Sequence, residues 1–287
     1  LQTARQNGRA TGLVSDTPLT DATAAAFFAR ASDARDPSSI ALQLLEDGMP
    51  DVMLGGGSAQ LIPQEPGGAR RDGRDLLLEM RQRGFDIART KSELESTPGW
   101  RAPQLFGVFA EDGLAFAEDQ TRYPTQPRLS DLVRKAIELL QFNSKGYLLV
   151  VNAGLAGRAA EQTRAETLLR QIRELDDAVQ TARKYAGEDS LILAAGLGDA
   201  GGFRLNAFSF APDRGIAVLG PSSAGVPAVS WAAADVDAMP SGPENGLPRQ
   251  LEPVAGDVLV LGEGCESEFT GGFFPLSRVH ALLAGRW

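Results

Sequence analysis

The chain has 287 residues, 43% of them apolar and 23% charged, and its 28 Lys and Arg against 37 Asp and Glu give a formal net charge of −9. The acidic balance argues against nucleic acid or an anionic membrane as the main partner, because phosphate groups are bound by clustered Lys and Arg. One cysteine excludes a disulfide within the chain, and one histidine excludes a zinc site built from several imidazoles of this chain. No stretch reaches the roughly 18 consecutive apolar residues of a transmembrane helix.

The first half of the sequence alternates short apolar strands with helical patterns. Strands are predicted at 10–15, 51–54, 85–89 and 105–110, and helices at 22–31, 40–46 and 74–83. Asp21 is expected to cap the first helix, and Ser38 or Ser39 the second, because a side-chain oxygen there accepts a hydrogen bond from a free backbone N–H. Gly48 and Gly84 are expected to end the second and third helices.

The second half gives the clearest periodic signals. Ser130 is expected to cap an amphipathic helix that runs to Leu140. The run YLLVVN at 147–152 is typical of a strand inside a parallel sheet, and LILAA at 191–195 predicts another central strand. A long helix is predicted over 159–185, with one apolar side formed by Leu168, Leu169, Ile172, Leu175, Val179 and Ala182. Strands that alternate with helices in this way predict an α/β fold with a mostly parallel sheet.

The composition changes after Gly196, where Gly, Pro, Ala and Ser become frequent. Short strands are predicted at 204–211, 216–219, 226–231 and 258–261, a loop at 238–253, and a last helix at 276–284. The sequence shows no internal repeat and no low-complexity tract. We therefore predict a single α/β domain over residues 1–287, with an irregular insertion rich in Gly and Pro around 196–256.

Several segments, in chain order, resemble the alkaline phosphatase family. They are GRATGLVS at 8–15 with DATAAAFF at 21–28, DVMLGGG at 51–57, DGRDL at 72–76, LFGVFA at 105–110, KAIELL at 135–140 with NSKGYLL at 143–149, and LDDAV at 175–179. The resemblance runs over about the whole chain. It implies a three-layer α/β/α sandwich, and the hydrolysis of phosphate monoesters with two zinc ions, one magnesium ion and a serine nucleophile.

The departures from the family pattern fall on its metal ligands. Where the family has a magnesium-binding Glu after the strand at 147–151, this chain has Asn152, and the Asp and His that bind zinc are replaced by Gly157 and Ala160. Gly196 and Leu197 stand at the ligand pair of the second zinc. A register shift of one residue gives Leu197 and Gly198, which also lack ligand atoms.

A further zinc ligand of the family falls on Pro253. The resemblance also implies that the serine nucleophile and a bridging aspartate lie upstream of this chain. The family's substrate-binding arginine falls on Ala34, one residue before Arg35. Thr23 remains at a magnesium-ligand position and Asp21 at a supporting position, although a helix start, with Asp21 as the cap and Thr23 as a small residue, is the simpler explanation of both.

If the fold is kept, four polar residues would surround the emptied site. These are Asn152, Arg158, Arg35 and Asp199. Such a pocket would bind an anion or a small ligand without turning it over, because ligands bind at the ends of strands in open α/β sheets.

These observations favour a pseudoenzyme of the alkaline phosphatase type, without catalytic residues or cofactor, that serves as a binding, structural or assembly subunit. The alternative is an active hydrolase of phosphate monoesters, in which an upstream part completes a reorganised zinc and magnesium site that uses Asp199, Glu161 and Thr23. A third reading is that the chain is a fragment. The resemblance implies a periplasmic or extracellular location, and a homo-oligomer or other protein subunits as partners.

Overall fold

The computed structural model describes residues 1–200 except 32, 47–48, 66 and 101–103, and residues 258–283 except 276. Between these two parts it describes only short strands, at 204–205, 209–211, 216–218, 229–230 and 253–254. Most of the predicted insertion at 196–256, the loop predicted at 238–253 apart from Pro253, and the helix end predicted at Gly48 therefore lie outside the described residues.

A parallel five-stranded sheet in the order β3-β4-β2-β1-β5 forms the centre of the structure. Its strands are β1 Ala10–Pro18, β2 Val52–Gly56, β3 Asp86–Ala88, β4 Leu105–Val108 and β5 Tyr147–Asn152. The helices are α1 Gln2–Gln6, α2 Ala22–Ala25, α3 Pro37–Gln43, α4 Leu76–Gln82, α5 Lys91–Ser96, α6 Leu129–Leu140, α7 Gly154–Glu161, α8 Ala165–Tyr185 and α9 Ser277–Leu283. The remaining strands are β6 Leu191–Ala195, β7 Asp199–Ala200, β8 Arg204–Leu205, β9 Ser209–Ala211, β10 Ile216–Val218, β11 Val229–Ser230, β12 Pro253–Val254 and β13 Val260–Gly264.

Both faces of the sheet are covered by helices, which confirms the predicted α/β class. Successive side chains of a strand point to opposite faces. Accordingly, Val14 of β1 packs in the cluster that contains α6, whereas Leu13 packs in the cluster that contains α3 and α4. All residues of β1, β2 and β4 are buried, as expected for continuous apolar runs in a parallel sheet.

Two of the predicted helix caps are wrong, because a neighbouring acid takes the role assigned to a serine. Asp36 caps α3, and its Oδ1 accepts from the backbone N–H groups of Ser38 and Ser39 at 3.1 Å. The helix α6 begins one residue before Ser130, and the carboxylate of Asp131 accepts from the backbone N–H that precedes the helix at 3.0 Å.

The cap predicted at Asp21 is also wrong. This residue does precede α2, but α2 is only four residues long and the Asp21 side chain makes no capping hydrogen bond. The carboxylate instead pairs with Arg158 on α7. A partner so far along the chain cannot be read from local sequence.

The helix predicted over 159–185 is in fact two helices, α7 and α8. Thr163 separates them with a left-handed backbone at φ 56°. The apolar side predicted for α8 is only partly buried, and Leu169 and Ile172 are 40% and 47% exposed. Its buried face includes polar side chains. One of them, Gln171, accepts a hydrogen bond from the backbone N–H of Ala117 at 2.8 Å.

The strand β6 is not a central strand of the parallel sheet, contrary to prediction. It pairs antiparallel with β13, and Leu191 lies opposite Gly264. An apolar run indicates a buried strand but does not specify its neighbour. The central sheet consequently ends at β5 among the described strands.

No helix within the described ranges is long and apolar enough to cross a membrane.

A buried lysine joins α6 to the end of α5. Lys135 is 4% exposed, and its Nζ donates to the carbonyl oxygens of Thr97 at 2.7 Å and of Glu95 at 3.4 Å. We expect Lys135→Met to lower the free energy of unfolding by about 2 kcal/mol, because it leaves carbonyl groups at the helix end without a donor. Urea denaturation measures the change.

The matched control for this prediction is Lys145→Met, since Lys145 is exposed. Its effect should stay within about 0.5 kcal/mol. Equal effects of the two substitutions would contradict the role assigned to Lys135.

Candidate functional site

The candidate site lies where the neighbouring strands β1 and β5 end. The two strands are parallel and in register, and Ser15 lies opposite Asn152. Their carboxyl ends therefore meet at one edge of the sheet, which is where ligands bind in open α/β folds. Polar residues follow the apolar part of both strands here, with Ser15, Asp16 and Thr17 on β1 and Asn152 on β5.

The side chain of Asn152 is held by two hydroxyl groups. Its Nδ2 donates to Ser15 Oγ at 3.0 Å and to Thr17 Oγ1 at 3.1 Å, and these two oxygens are 3.0 Å apart. All three side chains are buried. The position that the family resemblance gives to a magnesium-binding carboxylate thus holds a neutral amide that belongs to an internal hydrogen-bond network.

Asp16 fastens the start of α7 to β1. The residue before this helix, Ala153, has no side chain that could accept a hydrogen bond. The Oδ1 of Asp16 accepts from the backbone N–H of Leu155 at 3.1 Å and so takes the place of the missing cap. Burial raises the pKa of Asp16 to about 7, although hydrogen bonds from the backbone of Leu155 and Gly154 oppose the shift.

Arg158, on α7, bridges two carboxylates from different parts of the chain. Its Nη2 lies 2.9 Å from Oδ2 of Asp21, which follows β1, and its Nη1 lies 2.8 Å from Oδ2 of Asp112, which follows β4. One guanidinium thereby joins three segments at the carboxyl edge of the sheet. Its positive charge is already offset by two negative charges, which leaves little to attract a further anion.

The other predicted site residues are placed differently. The side chain of Arg35 is 92% exposed and pairs with Asp33 at 3.3 Å. Asp199 lies in β7, opposite Val254 of β12. Thr23 is partly buried in α2. Asn152 thus ends β5 and Arg158 lies on the helix that follows it. The contacts of the described residues do not link Arg35 to them, so the four-residue pocket stays a prediction.

The residues that the resemblance assigns to the zinc positions do not have the chemistry of zinc ligands. Gly157 and Ala160 lie in α7, and Gly196 and Leu197 follow β6. Zinc is held by nitrogen, sulfur or oxygen donors, and none of these side chains has one. In the described part of the chain, no group of three or more His, Cys, Asp or Glu residues could hold a metal ion. Gly157, Ala160, Gly196 and Leu197, which the resemblance gives to the zinc positions, therefore offer no side-chain donor for a two-zinc centre.

Asp16 and Asp112 are among the residues of this edge that sequence reasoning missed. Asp16 could have been noticed, because a carboxylate inside a buried strand needs a partner or a shifted pKa. Asp112 gave no such signal, since it lies in a loop rich in acidic residues.

Comparison with known proteins points to one family. The alkaline phosphatase family model matches residues 1–223. Alkaline phosphatase 4 of Bacillus subtilis is 30% identical over 214 residues, which cover 72% of this chain and 44% of that relative.

Solved structures give the same result. The alkaline phosphatase of Thermus thermophilus aligns with a TM-score of 0.61 and 29% identity, over 70% of this chain and 43% of that protein. The alkaline phosphatase of the Antarctic bacterium TAB5 shares the fold, with a TM-score of 0.67 and 20% identity, over 93% of this chain and 68% of that one. The chain spans less than half the length of the Bacillus and Thermus proteins.

The buried carboxyl group of Asp16 makes stability depend on pH. Its pKa is raised from 3.8 to about 7 in the folded state, so the unfolded chain ionises first as the pH rises. The stabilising contribution of Asp16 to the free energy of unfolding is then fully present below pH 4 and is lost by about pH 7. Relative to Asp16→Asn, we expect the wild-type free energy of unfolding to fall by on the order of 4 kcal/mol across this window.

Urea denaturation at a series of pH values measures this difference. Asp36→Asn is a control of opposite sign, because hydrogen bonds, the largest from the backbone N–H of Ser39, lower the pKa of Asp36. The stabilising contribution of Asp36 to the free energy of unfolding should therefore be lost as the pH falls. If the difference in the free energy of unfolding between the wild type and Asp16→Asn does not change with pH, the raised pKa assigned to Asp16 is wrong.

Two arginines of the predicted pocket should differ in their effect on stability. Arg158→Gln leaves Asp21 and Asp112 without their common cation, and we expect a loss of about 1–2 kcal/mol, since the pair is only partly buried. Arg35→Gln removes an exposed pair and should change stability by less than about 0.5 kcal/mol. Thermal or urea unfolding of the two variants tests this, and equal losses would contradict it.

Proposed function

Because the chain belongs to the alkaline phosphatase family, we propose that it is an alkaline phosphatase-like pseudoenzyme without the family's two-zinc catalytic centre. Its role is then that of a binding, structural or assembly subunit. The chain does not span the full length of the relatives it matches, so the proposal concerns the chemistry that the residues of this chain support.

The observation that carries the proposal is the pairing of Arg158 with Asp21 and Asp112. Thr23 and Asp21 stand at the magnesium-ligand and supporting positions by resemblance. A divalent cation next to Asp21 would meet a guanidinium that already neutralises this carboxylate, and the two cations would repel each other. At the described edge of the sheet, the carboxylates of Asp21 and Asp112 are therefore already paired with a cation of the protein itself.

The zinc positions support the same proposal through the identity of their residues. Hydrolysis of a phosphate monoester at a two-metal site needs the ions to activate a nucleophile and to stabilise the charge on the phosphoryl group. Gly157, Ala160, Gly196 and Leu197 offer no donor atom to such ions. The neutral amide of Asn152, bonded to Ser15 and Thr17, is likewise a poorer ligand for magnesium than a carboxylate.

An active phosphate-monoester hydrolase is the alternative function. Family membership favours it, as does the fact that this chain spans less than half of its Bacillus relative. It requires polypeptide beyond this chain and a reorganised zinc and magnesium site that includes Thr23, Glu161 and Asp199. Burial raises the pKa of Glu161, so a proton competes with a metal ion for this carboxylate at a higher pH than it would for an exposed glutamate.

Location and assembly are proposed from the resemblance alone. We place the protein in the periplasm or outside the cell, as a homo-oligomer or bound to other protein subunits. Cell fractionation and analytical ultracentrifugation test these two statements independently of the metal site.

Metal content and phosphatase activity separate the two functions. This chain, and any longer natural form of it, is incubated with zinc and magnesium, desalted, and analysed by mass spectrometry for bound metal. Hydrolysis of p-nitrophenyl phosphate is then measured with and without a chelator. We expect no stoichiometric zinc and no chelator-sensitive hydrolysis.

Alkaline phosphatase 4 of Bacillus subtilis, purified and treated in the same way, is the positive control. Stoichiometric zinc together with hydrolysis that the chelator abolishes, in either form of the protein, would overturn the pseudoenzyme proposal and favour the active hydrolase.

A further inference from the structure

A groove of about 390 Å³ lies beside β3, at the end of the central sheet opposite β5. Its lining includes Arg81 of α4, Phe85 and Ile87 at β3, Glu93 of α5, and Pro98 just after α5. The two helices cover opposite faces of the sheet, since α4 and α5 contribute to different core clusters. Ligand sites have volumes of about 300 to 1,000 Å³, so this groove has room for a small ligand.

The backbone of Ile87 offers one hydrogen-bond donor and one acceptor on the side of the groove. The backbone N–H of Asp86 donates to the carbonyl oxygen of Gln104 at 2.8 Å, so Asp86 faces β4. Because backbone groups alternate in direction along a strand, the N–H and C=O groups of Ile87 point to the outer side. No described strand pairs with β3 on that side.

The neighbouring outward N–H groups already have partners within the chain. The N–H of Phe85 donates to the carbonyl oxygen of Met80 at 3.2 Å, and the N–H of Arg89 donates to Oε2 of Glu93 at 2.6 Å. A ligand that pairs with this edge can therefore do so through Ile87 alone. This limits the occupant to a short molecule, as is usual beside a short edge strand.

Opposite charges lie at the two ends of this short edge. Arg81 is in the last turn of α4, which leads into the start of β3, and its guanidinium has no ion pair or hydrogen bond in the described part of the chain. Glu93 lies at the other end, where its carboxylate accepts from the backbone of Arg89, the residue after β3. The groove thus carries a cation at the amino end of β3 and an anion at its carboxyl end.

The middle of the groove is apolar. Phe85 and Ile87 pack against the core cluster that contains α4, and both are only partly buried. Pro98 is also partly buried and lines the same groove. An apolar group of a ligand would therefore contact apolar side chains here.

We propose that this groove binds a tripeptide with free termini and an apolar central residue, extended and antiparallel to β3. The N–H and C=O of the central residue exchange two hydrogen bonds with Ile87, which is the pattern of a hydrogen-bonded antiparallel pair. The terminal carboxylate of the peptide then lies at the end where Arg81 is, and its terminal ammonium at the end where Glu93 is.

The side chain of the central residue follows from this pairing. Directly opposed residues of an antiparallel pair project their side chains to the same face. The central side chain of the peptide therefore contacts Ile87 and Phe85, which is why it must be apolar.

An NMR titration of the full chain with the peptide Ala-Leu-Ala tests this proposal. We expect saturable binding with a dissociation constant on the order of 1 mM, since exposed ion pairs contribute little each, and the largest amide shift at Ile87. N-acetylation and C-terminal amidation of the peptide each remove one charge, and each should weaken binding by about 10-fold. Methylation of the central peptide nitrogen removes the donor to Ile87 and should weaken binding to a similar extent.

One protein variant identifies the group that binds the carboxylate. Arg81→Gln should weaken binding of the free peptide by about 10-fold and leave binding of the amidated peptide nearly unchanged, because the two changes remove the same ion pair. The matched control is Arg71→Gln, at an exposed arginine outside the groove, which should have no effect. Arg81 is itself exposed, so its replacement should leave the fold intact.

Four outcomes would overturn the proposal. They are the absence of saturable binding at millimolar peptide, equal affinities for the free and capped peptides, equal effects of Arg81→Gln and Arg71→Gln, and amide shifts that lie away from Ile87. The titration is carried out without zinc or magnesium. Its outcome is therefore separate from the metal and activity measurements that test the proposed function.

Discussion

The carboxyl edge of the sheet depends on one guanidinium group held between two carboxylates. Arg158 connects α7 to the segment after β1 through Asp21 and to the segment after β4 through Asp112. Asp16 adds a second connection between β1 and the first turn of α7. The place where an α/β sheet usually binds a ligand is thereby held together by the protein's own charges.

This arrangement gives the edge a consistent electrostatic character. The guanidinium of Arg158 faces two carboxylates, and the amide of Asn152 is bonded to neutral hydroxyl groups. Asp16, a buried carboxyl group of the same edge, has a pKa raised by burial to about 7 and so is largely protonated below neutral pH. A metal centre of the alkaline phosphatase type would require the opposite, namely several unpaired donors directed at one point. The retained fold and the donor-poor edge together motivate the proposal of a pseudoenzyme.

The sequence predicted those parts of the fold that local pattern determines. The runs that became β1, β2, β4 and β5 each contain an apolar stretch of strand length, and β1, β2 and β4 are buried throughout, as is usual for strands inside a parallel sheet. The orientation of α8 was not predictable, because its buried face is fixed by partners distant in sequence. Gln171, for example, binds the backbone of Ala117, 54 residues away. The pairing of Asp21 with Arg158 spans 137 residues, so the same limit applies to the site.

One measurement tests the central claim most directly. A crystal of the protein soaked in zinc and magnesium salts, with diffraction data collected on both sides of the zinc absorption edge, locates any bound zinc by its anomalous signal. We predict that Arg158 still bridges Asp21 and Asp112 and that no anomalous peak lies beside Gly157 and Ala160, where the resemblance gives zinc positions, or beside Asp21, Thr23 and Asn152, where it gives the magnesium site. A peak within about 2.2 Å of oxygen atoms of these residues, with the guanidinium of Arg158 displaced, would contradict the account.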